Sequence, residues 1–294
     1  RRGAAGARGD VVLSAGAFNT PHLLQLSGIG DAHHLASIGV EAVIDNAHVG
    51  AHLAEHPLVF HNWELRPGAE IGLFDAPHPK HVVRWAALRR GVLASSAVHA
   101  CAHVLSRDGL DGPDLQLIFA PAYTWWETFG VHATHTAPAI AINASYWSPI
   151  SEGRVWARTS DPREKPAVLL NMLSERADIE AVMRSVRITR EIAATEPLAS
   201  LLGDELTPGP NVQTDDELEH WLRAHCEHTY HPSCTARMSS DPDAGVADAR
   251  LRVHGLDGLR IADCSVLPRI PRANTNAPAI MIGERCADFI LSAR

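Results

Sequence analysis

The order of apolar and polar residues predicts an α/β arrangement near the amino end of the chain. Residues 10–15 form a short, β-branched, apolar run that ends at Gly16, a pattern typical of a buried strand in a parallel sheet. Thr20 and Pro21 then predict the start of a helix, with the threonine as its cap and the proline in its first turn. A strand that turns directly into a helix favours an α/β fold.

The middle of the chain, from about residue 61 to residue 224, has a different pattern. Short apolar or alternating runs are separated by Pro, Gly and Asp, which predicts an antiparallel sheet with turns. The predicted strands are residues 100–105, 115–120, 137–146, 154–158 and 167–171. Residues 174–194 have the apolar spacing of a helix, and Thr214 opens a capping box that predicts a second one.

The carboxyl end returns to the first pattern. Residues 259–263 predict a strand that ends in an acid, and residues 277–292 predict a helix. We therefore predict that residues 1–60 and 228–294 form one α/β domain, and that residues 61–227 form a second domain of α+β type.

Composition and charge narrow the classes of protein that fit. The 294 residues suffice for one or two domains, and 46% hydrophobic with 20% charged residues exclude a disordered chain. The net charge of −8 argues against a nucleic-acid partner, which needs a basic surface. No apolar run reaches the roughly 18–20 residues of a membrane helix, and no secretory signal is recognisable. Five cysteines without a C-x-x-C pair predict free thiols and a cytoplasmic location.

His231, which is followed by Pro232, is the candidate for proton transfer. A histidine suits proton transfer because its pKa lies near neutrality. Asn274 is the candidate second group, since an asparagine can hydrogen-bond a substrate oxygen although it cannot act as a base. The alternatives are a structural histidine in a turn and an asparagine that only caps the following helix.

Several motifs resemble those of one enzyme family. Residues 16–30 read GAFNTPHLLQLSGIG, residues 228–238 read HTYHPSCTARM, and residues 274–288 read NTNAPAIMIGERCAD. The motif at residues 49–57, VGAHLAEHP, has Glu55 where an aspartate is usual. In these motifs the chain resembles the C-terminal part of the glucose–methanol–choline (GMC) flavoprotein oxidoreductases, and within them the choline dehydrogenase and oxidase branch.

The resemblance implies a fold, a cofactor and a reaction. The fold is a partial FAD-binding Rossmann-like domain with a substrate domain whose antiparallel sheet is flanked by helices. The reaction is the FAD-dependent oxidation of a primary alcohol, of which a choline-like alcohol is one candidate, to an aldehyde. His231 becomes the active-site base and Asn274 its partner at the substrate. The residues implied to contact the FAD are Ala15, Gly16, Tyr230, Asp263, Cys264, Asn276 and Ala277.

The helix predicted at residues 277–292 is implied to direct its N-terminus at the flavin. A helix start carries unpaired N–H groups and partial positive charge, and a reduced flavin is anionic at its N1–C2=O edge. An ordinary packed helix is the alternative interpretation.

The glycine-rich turn that would bind the FAD pyrophosphate is not found in this sequence. Gly-x-Gly-x-x-Gly between a strand and a helix marks that turn, whereas Gly28 and Gly30 follow a helix and lack a third glycine. The sequence thus predicts a C-terminal portion whose partner is a missing N-terminal segment of the FAD domain. Residues 1–294 alone are expected to be colourless, inactive and poorly soluble, and homo-oligomerisation is left open.

Other interpretations remain open. A zinc ion is the weakest of them, because the spacing of its ligands matches no known pattern; the ligands would be His225, Cys226, Glu227, His228, His231 and Cys234. Four aromatic residues are candidates for a substrate pocket or a quaternary-ammonium cage: Tyr123, Trp125, Trp126 and Phe129. A flavin-containing hydroxynitrile lyase would use the same histidine without net oxidation, and an inactive fragment would have no catalysis. Oxidase and dehydrogenase are not distinguished.

Overall fold

The computed structural model of the protein describes residues 6–7, 9–69, 78–96, 98–124 and 137–292. It divides into two compact units. Unit 1 contains the described residues of 1–56, 148–175 and 230–294, and unit 2 contains those of 57–147 and 176–229. Unit 1 thus includes residues 148–175, which the predicted domain boundaries assign elsewhere, and those boundaries stay a prediction.

Helices and short strands follow one another along the described chain. In sequence order they are β1 (Val11–Leu13), α1 (Gly16–Leu26), β2 (Ile29–Gly30), α2 (Ala32–Ser37), β3 (Ile44–Asp45), β4 (Pro57–Val59), β5 (Asn62–Leu65), α3 (Pro79–Leu88), β6 (Ala100–Val104), β7 (Leu115–Ala120), β8 (Ala139–Tyr146), β9 (Arg154–Trp156), β10 (Ala167–Leu169), α4 (Arg176–Ala193), β11 (Leu202–Thr207), α5 (Asp215–His225), β12 (Glu227–His228), β13 (Leu259–Ile261) and α6 (Asn276–Leu291).

Unit 1 contains the two strands predicted near the ends of the chain. β1 and β13 run parallel, with Val12 opposite Arg260. The strand at β1 was expected to be buried, but Val11 and Val12 are 46% and 39% exposed. The physical reason is that β13 is the single strand partner of β1 among the described residues, so no further strand covers it. The core of the unit packs instead around Leu24, Ile261 and other apolar side chains from α1, β13 and α6.

Helix α1 begins earlier than the sequence predicts. It starts at Gly16 rather than at Thr20, and Pro21 lies inside it. A proline there cannot donate to the carbonyl oxygen of Ala17, four residues before it. The buried hydroxyl of Thr235 donates to that oxygen instead, at 2.6 Å. This substitute hydrogen bond makes the internal proline tolerable, and it comes from a residue that local sequence reasoning could not identify.

Unit 2 is built on a seven-stranded antiparallel sheet. β8 is buried along its whole length and pairs with β4, β5 and β7. The strands β6, β11 and β12 lie further out in the sheet. Helix α4 packs against β8, and its buried apolar side chains include Ile179, Val182, Met183 and Val186. The predicted capping box of α5 is confirmed, with Thr214 and Glu217 each accepting from the other's main-chain nitrogen.

The predicted antiparallel strands are confirmed as β6, β7, β8, β9 and β10, but they do not all share one sheet. β9 and β10 form a separate hairpin in unit 1, with Val155 opposite Val168. No helix in the described part of the chain is long and apolar enough to cross a bilayer. All five cysteines are free, as predicted.

Candidate active site

His231 lies in unit 1, between the exposed Tyr230 and Pro232. Its main-chain nitrogen donates to both carboxylate oxygens of Glu55, each at 2.9 Å. Burial of the ring lowers the pKa of His231 below the usual value of about 6.5. At neutral pH the imidazole is therefore uncharged and able to accept a proton.

A second histidine, His56, contacts the ring of His231. The two Nδ1 atoms are 2.9 Å apart, and the rings meet edge to face. His56 is fully buried, and its Nε2 is 3.1 Å from the carbonyl oxygen of Pro271. Burial, and secondly the neighbouring His231, lower the pKa of His56 to about 3, against the opposing effect of the Pro271 carbonyl. His56 is therefore neutral throughout the physiological range.

Sequence reasoning missed His56, and it undervalued Glu55. The buried Glu55 carboxylate also accepts from the main-chain nitrogen of His56, at 2.9 Å, so one side chain holds the backbones of both histidines. The available signal was a repeated dipeptide, because His56 and His231 are both followed by proline. The pairing itself joins positions far apart in the chain, and only the fold shows it.

Asn274 faces His231, as its predicted role requires. Its amide Nδ2 is 3.5 Å from His231 Nε2. The alternative that Asn274 only caps α6 is wrong, because the N-cap is Thr275 and the described structure shows no side-chain cap hydrogen bond there. The predicted helix itself is confirmed within one residue at each end.

Asp263 links the end of β13 to the start of α1. Its Oδ2 accepts from the Gly16 nitrogen at 3.0 Å and from the Thr20 hydroxyl at 2.6 Å, and its Oδ1 accepts from the Ser265 nitrogen at 2.8 Å. Thr20 was predicted to cap the helix with its own side chain. It instead accepts from the Ala15 nitrogen and donates to Asp263, which explains why the helix can begin before it.

Most of the residues predicted to contact FAD cluster around the end of β13. Gly16 is hydrogen-bonded to Asp263, and Cys264 lies 3.6 Å from the Thr275 carbonyl oxygen at the start of α6, where Asn276 and Ala277 follow. Burial, and then the Asp263 charge, raise the pKa of the Cys264 thiol. Tyr230 is 60% exposed and precedes His231 directly. Contact of these residues with FAD stays a prediction.

The two helix starts at this cluster differ at their amino ends. α6 has no side-chain cap hydrogen bond within the described structure, whereas the first main-chain nitrogen of α1, that of Gly16, already donates to the Asp263 carboxylate. Gly16 has a φ of +81°, and no described atom lies within 4 Å of where a Cβ would stand. The uncapped start of α6 favours an anionic ligand, whereas the Asp263 carboxylate already occupies the start of α1.

The zinc interpretation is not supported by the described residues, which contain no group of three or more potential ligands placed to bind a metal. His231 pairs with His56, whereas His225 stacks on Trp221 and contacts its carbonyl oxygen at 2.8 Å. Tyr123 is the one residue of the proposed aromatic pocket that the structure describes, and its burial raises the pKa of its hydroxyl. Trp125, Trp126 and Phe129 lie outside the described residues.

Comparison with known proteins identifies the family. Two models described as GMC oxidoreductase match the chain, one at residues 3–58 and the other at residues 149–283. The chain belongs to the GMC oxidoreductase family. The predicted resemblance and the mixed α/β fold are both confirmed.

Relatives within the GMC family match almost the whole chain. A GMC-type oxidoreductase of Mycobacterium tuberculosis, described as uncharacterised, is 39% identical over 97% of this chain and 53% of its own length. An oxygen-dependent choline dehydrogenase of Rhizobium rhizogenes is 38% identical over 97% of this chain and 52% of its own. The chain therefore spans about half the length of the curated relatives it matches.

A solved structure supports the same assignment. The formate oxidase of Aspergillus oryzae superposes with a TM-score of 0.88 at 28% identity, over 98% of this chain and 55% of that one. The GMC family and its structural neighbours are FAD-dependent flavoproteins.

Proposed function

We propose that this chain provides the catalytic part of an FAD-dependent oxidoreductase that oxidises a primary alcohol to an aldehyde, with His231 as the base. One observation carries the proposal: the two nitrogens of a single neutral imidazole face different groups. Nδ1 of His231 contacts the buried His56, and Nε2 faces the Asn274 amide at 3.5 Å. The ring is thus held on one side and directed at a polar partner on the other.

The cluster at the end of β13 fits FAD as the cofactor. The uncapped start of α6 would accept an anionic part of that molecule, and the open space at Gly16 would let the cofactor approach the main chain closely, with Asp263 holding the start of α1 in place. FAD, when bound, supplies the acceptor for the hydride.

His231 and Asn274 divide the proton chemistry between them. Neutral His231 takes the proton of the substrate hydroxyl at Nε2, and its lowered pKa keeps it neutral at physiological pH. The Asn274 amide donates a hydrogen bond to the same oxygen and holds it against the histidine. Removing the hydroxyl proton strengthens the tendency of the adjacent carbon to release hydride.

The experiment that tests this function is anaerobic mixing of the complete, FAD-loaded protein with a panel of small molecules. The panel holds primary alcohols including choline, secondary alcohols, and formate, which the name of the structural neighbour suggests. We expect bleaching of the flavin absorbance by at least one primary alcohol. Reduction by formate alone, or by nothing in the panel, would contradict the proposal. Cleavage of a cyanohydrin with the flavin still oxidised would favour the lyase alternative.

Replacing Asn274 by alanine should slow flavin reduction by the best alcohol roughly 5–150-fold. The estimate corresponds to about 1–3 kcal/mol, the usual effect of removing one partner of a polar pair that bound substrate excludes from water; without substrate Asn274 is exposed. The rate is measured by stopped-flow absorbance at saturating alcohol.

The thermal midpoint of the same variant serves as the control. It should not change, because Asn274 does not cap α6. Asn274→Asp, which has the same shape but no amide donor, should be impaired as well. An alanine variant with unaltered kcat and KM would show that Asn274 does not contact the substrate.

A further inference from the structure

In the contact between His56 and His231, the surrounding atoms determine which nitrogen donates the hydrogen bond and which accepts it. We infer that His56 is a positioning residue that keeps the proton of His231 on Nδ1 and thereby makes Nε2 the basic nitrogen. The inference rests on the proposed function and extends it, since it assigns a task to a residue that touches neither substrate nor cofactor in that proposal.

The carbonyl oxygen of Pro271 determines the protonation of His56. A carbonyl oxygen can only accept a hydrogen bond, and it lies 3.1 Å from Nε2 of His56. His56 must therefore carry a proton on Nε2. Ring protons are assigned from such networks, and this network begins at an atom with one role only.

His56 has one ring proton to place. A second proton would give the ring a positive charge, which complete burial makes unfavourable. For this reason the pKa of His56 is lowered to about 3. With Nε2 protonated, Nδ1 of His56 is a pure acceptor. The atom 2.9 Å away is Nδ1 of His231, which must then be the donor. The opposite assignment would bring two lone pairs together.

The proton on Nδ1 of His231 determines the state of its other nitrogen. A neutral imidazole has a single N–H, so Nε2 of His231 carries the lone pair. Nε2 is the atom that faces the Asn274 amide, whose Nδ2 is a donor. The donors and acceptors therefore agree from Pro271 through both histidines to Asn274. A buried aspartate performs the same task for the histidine of a serine protease triad.

The backbones of both histidines are held as well. Glu55 accepts from the main-chain nitrogens of His56 and His231, each at 2.9 Å. The distance between the two rings is thus fixed from the main chain as well as by the ring contact. The two residues therefore have separate tasks. Glu55 fixes the positions of the two histidine backbones, and the side chain of His56 keeps the proton of His231 on Nδ1.

The test compares two substitutions of similar size in the complete, FAD-loaded protein. His56→Leu removes the acceptor, whereas His56→Asn places an amide oxygen close to the former Nδ1 position. We expect the leucine variant to reduce its flavin at least roughly 10–100-fold more slowly, the range typical when the hydrogen-bond partner that orients a metal-bound histidine is lost. The asparagine variant should recover most of that loss. Equal rates in both variants, or a leucine variant with the wild-type rate, would overturn the inference.

A second readout does not depend on activity or on the folding of either variant. In protein labelled with ¹⁵N-histidine, the His231 signals are assigned by their absence in His231→Gln. Wild-type protein above pH 7 should show a protonated Nδ1 and an unprotonated Nε2. A proton on Nε2 would overturn the inference even if alcohols reduce the flavin. If no alcohol reduces the flavin, the proposed function fails, and the tautomer still decides this inference.

Discussion

Replacing His231 by alanine should lower the rate of flavin reduction by alcohol roughly 10²–10⁴-fold in the complete, FAD-loaded protein, the usual range for loss of a general base. The variant should fold, because Glu55 binds the main-chain nitrogen of residue 231, which alanine retains. Its flavin content should stay near that of the wild type for the same reason. The rate is measured by stopped-flow absorbance without oxygen.

The matched control for this substitution is His33→Ala. His33 is an exposed histidine of α2 in the same unit, and its loss should leave the rate unchanged. A wild-type rate in the His231 variant would remove this residue from the chemistry. A comparable loss in both variants would show that the effect is not specific to the proposed base.

Replacing Gly50 by alanine should destabilise the protein strongly. Gly50 has a φ of +85°, and a Cβ would stand 2.1 Å from the carbonyl oxygen of Val155 and 2.6 Å from Nε2 of Gln25. The main chain cannot move away easily, since Gly50 donates to Thr235 and accepts from Val155, both at 2.7 Å. The backbone conformation and the clash together should cost about 2–5 kcal/mol, a large part of the roughly 5–15 kcal/mol that stabilise a typical protein.

Urea denaturation of the Gly50 variant, compared with that of Gly39→Ala, separates the two causes. Gly39 has a φ of +74°, but no described atom lies within 4 Å of its Cβ position. The control should therefore lose only the conformational part, about 1–2 kcal/mol. Equal losses in the two variants would contradict the close approach of Gly50 to Val155.

The elements that the sequence predicts well are those with a complete local signal. The capping box at Thr214 contains both of its hydrogen-bonding partners within four residues, and the predicted helix start is confirmed. Residues 115–120 have a long enough apolar run to define a strand without help from the rest of the chain, and β7 covers it. Local chemistry suffices where the interacting atoms are neighbours in sequence.

The sequence-based predictions are wrong where a residue far along the chain provides a hydrogen bond or a strand partner that the local sequence does not show. Pro21 would normally mark a helix start, but the Thr235 hydroxyl satisfies the carbonyl of Ala17 and lets the helix begin at Gly16. The short strands β4 and β5 were not predicted, because their character comes from pairing with β8.

The same limit applies to the candidate active site. His231 and Asn274 stand in recognisable motifs, and the structure brings them together. His56 acquires its environment from Pro271 and His231, which lie far along the chain. Its task therefore could not be predicted from its neighbours in sequence, although its motif was visible.

The pH dependence of anaerobic flavin reduction tests the central claim, that neutral His231 takes the hydroxyl proton, most directly. Burial lowers the pKa of His231 below about 6.5, so the base form predominates above that pH. The rate at saturating alcohol should therefore be constant above about pH 7 and fall only on the acid side, and the fall should disappear in His231→Ala. A rate that keeps rising through about pH 8–9, or an acid limb that persists without His231, would contradict the claim.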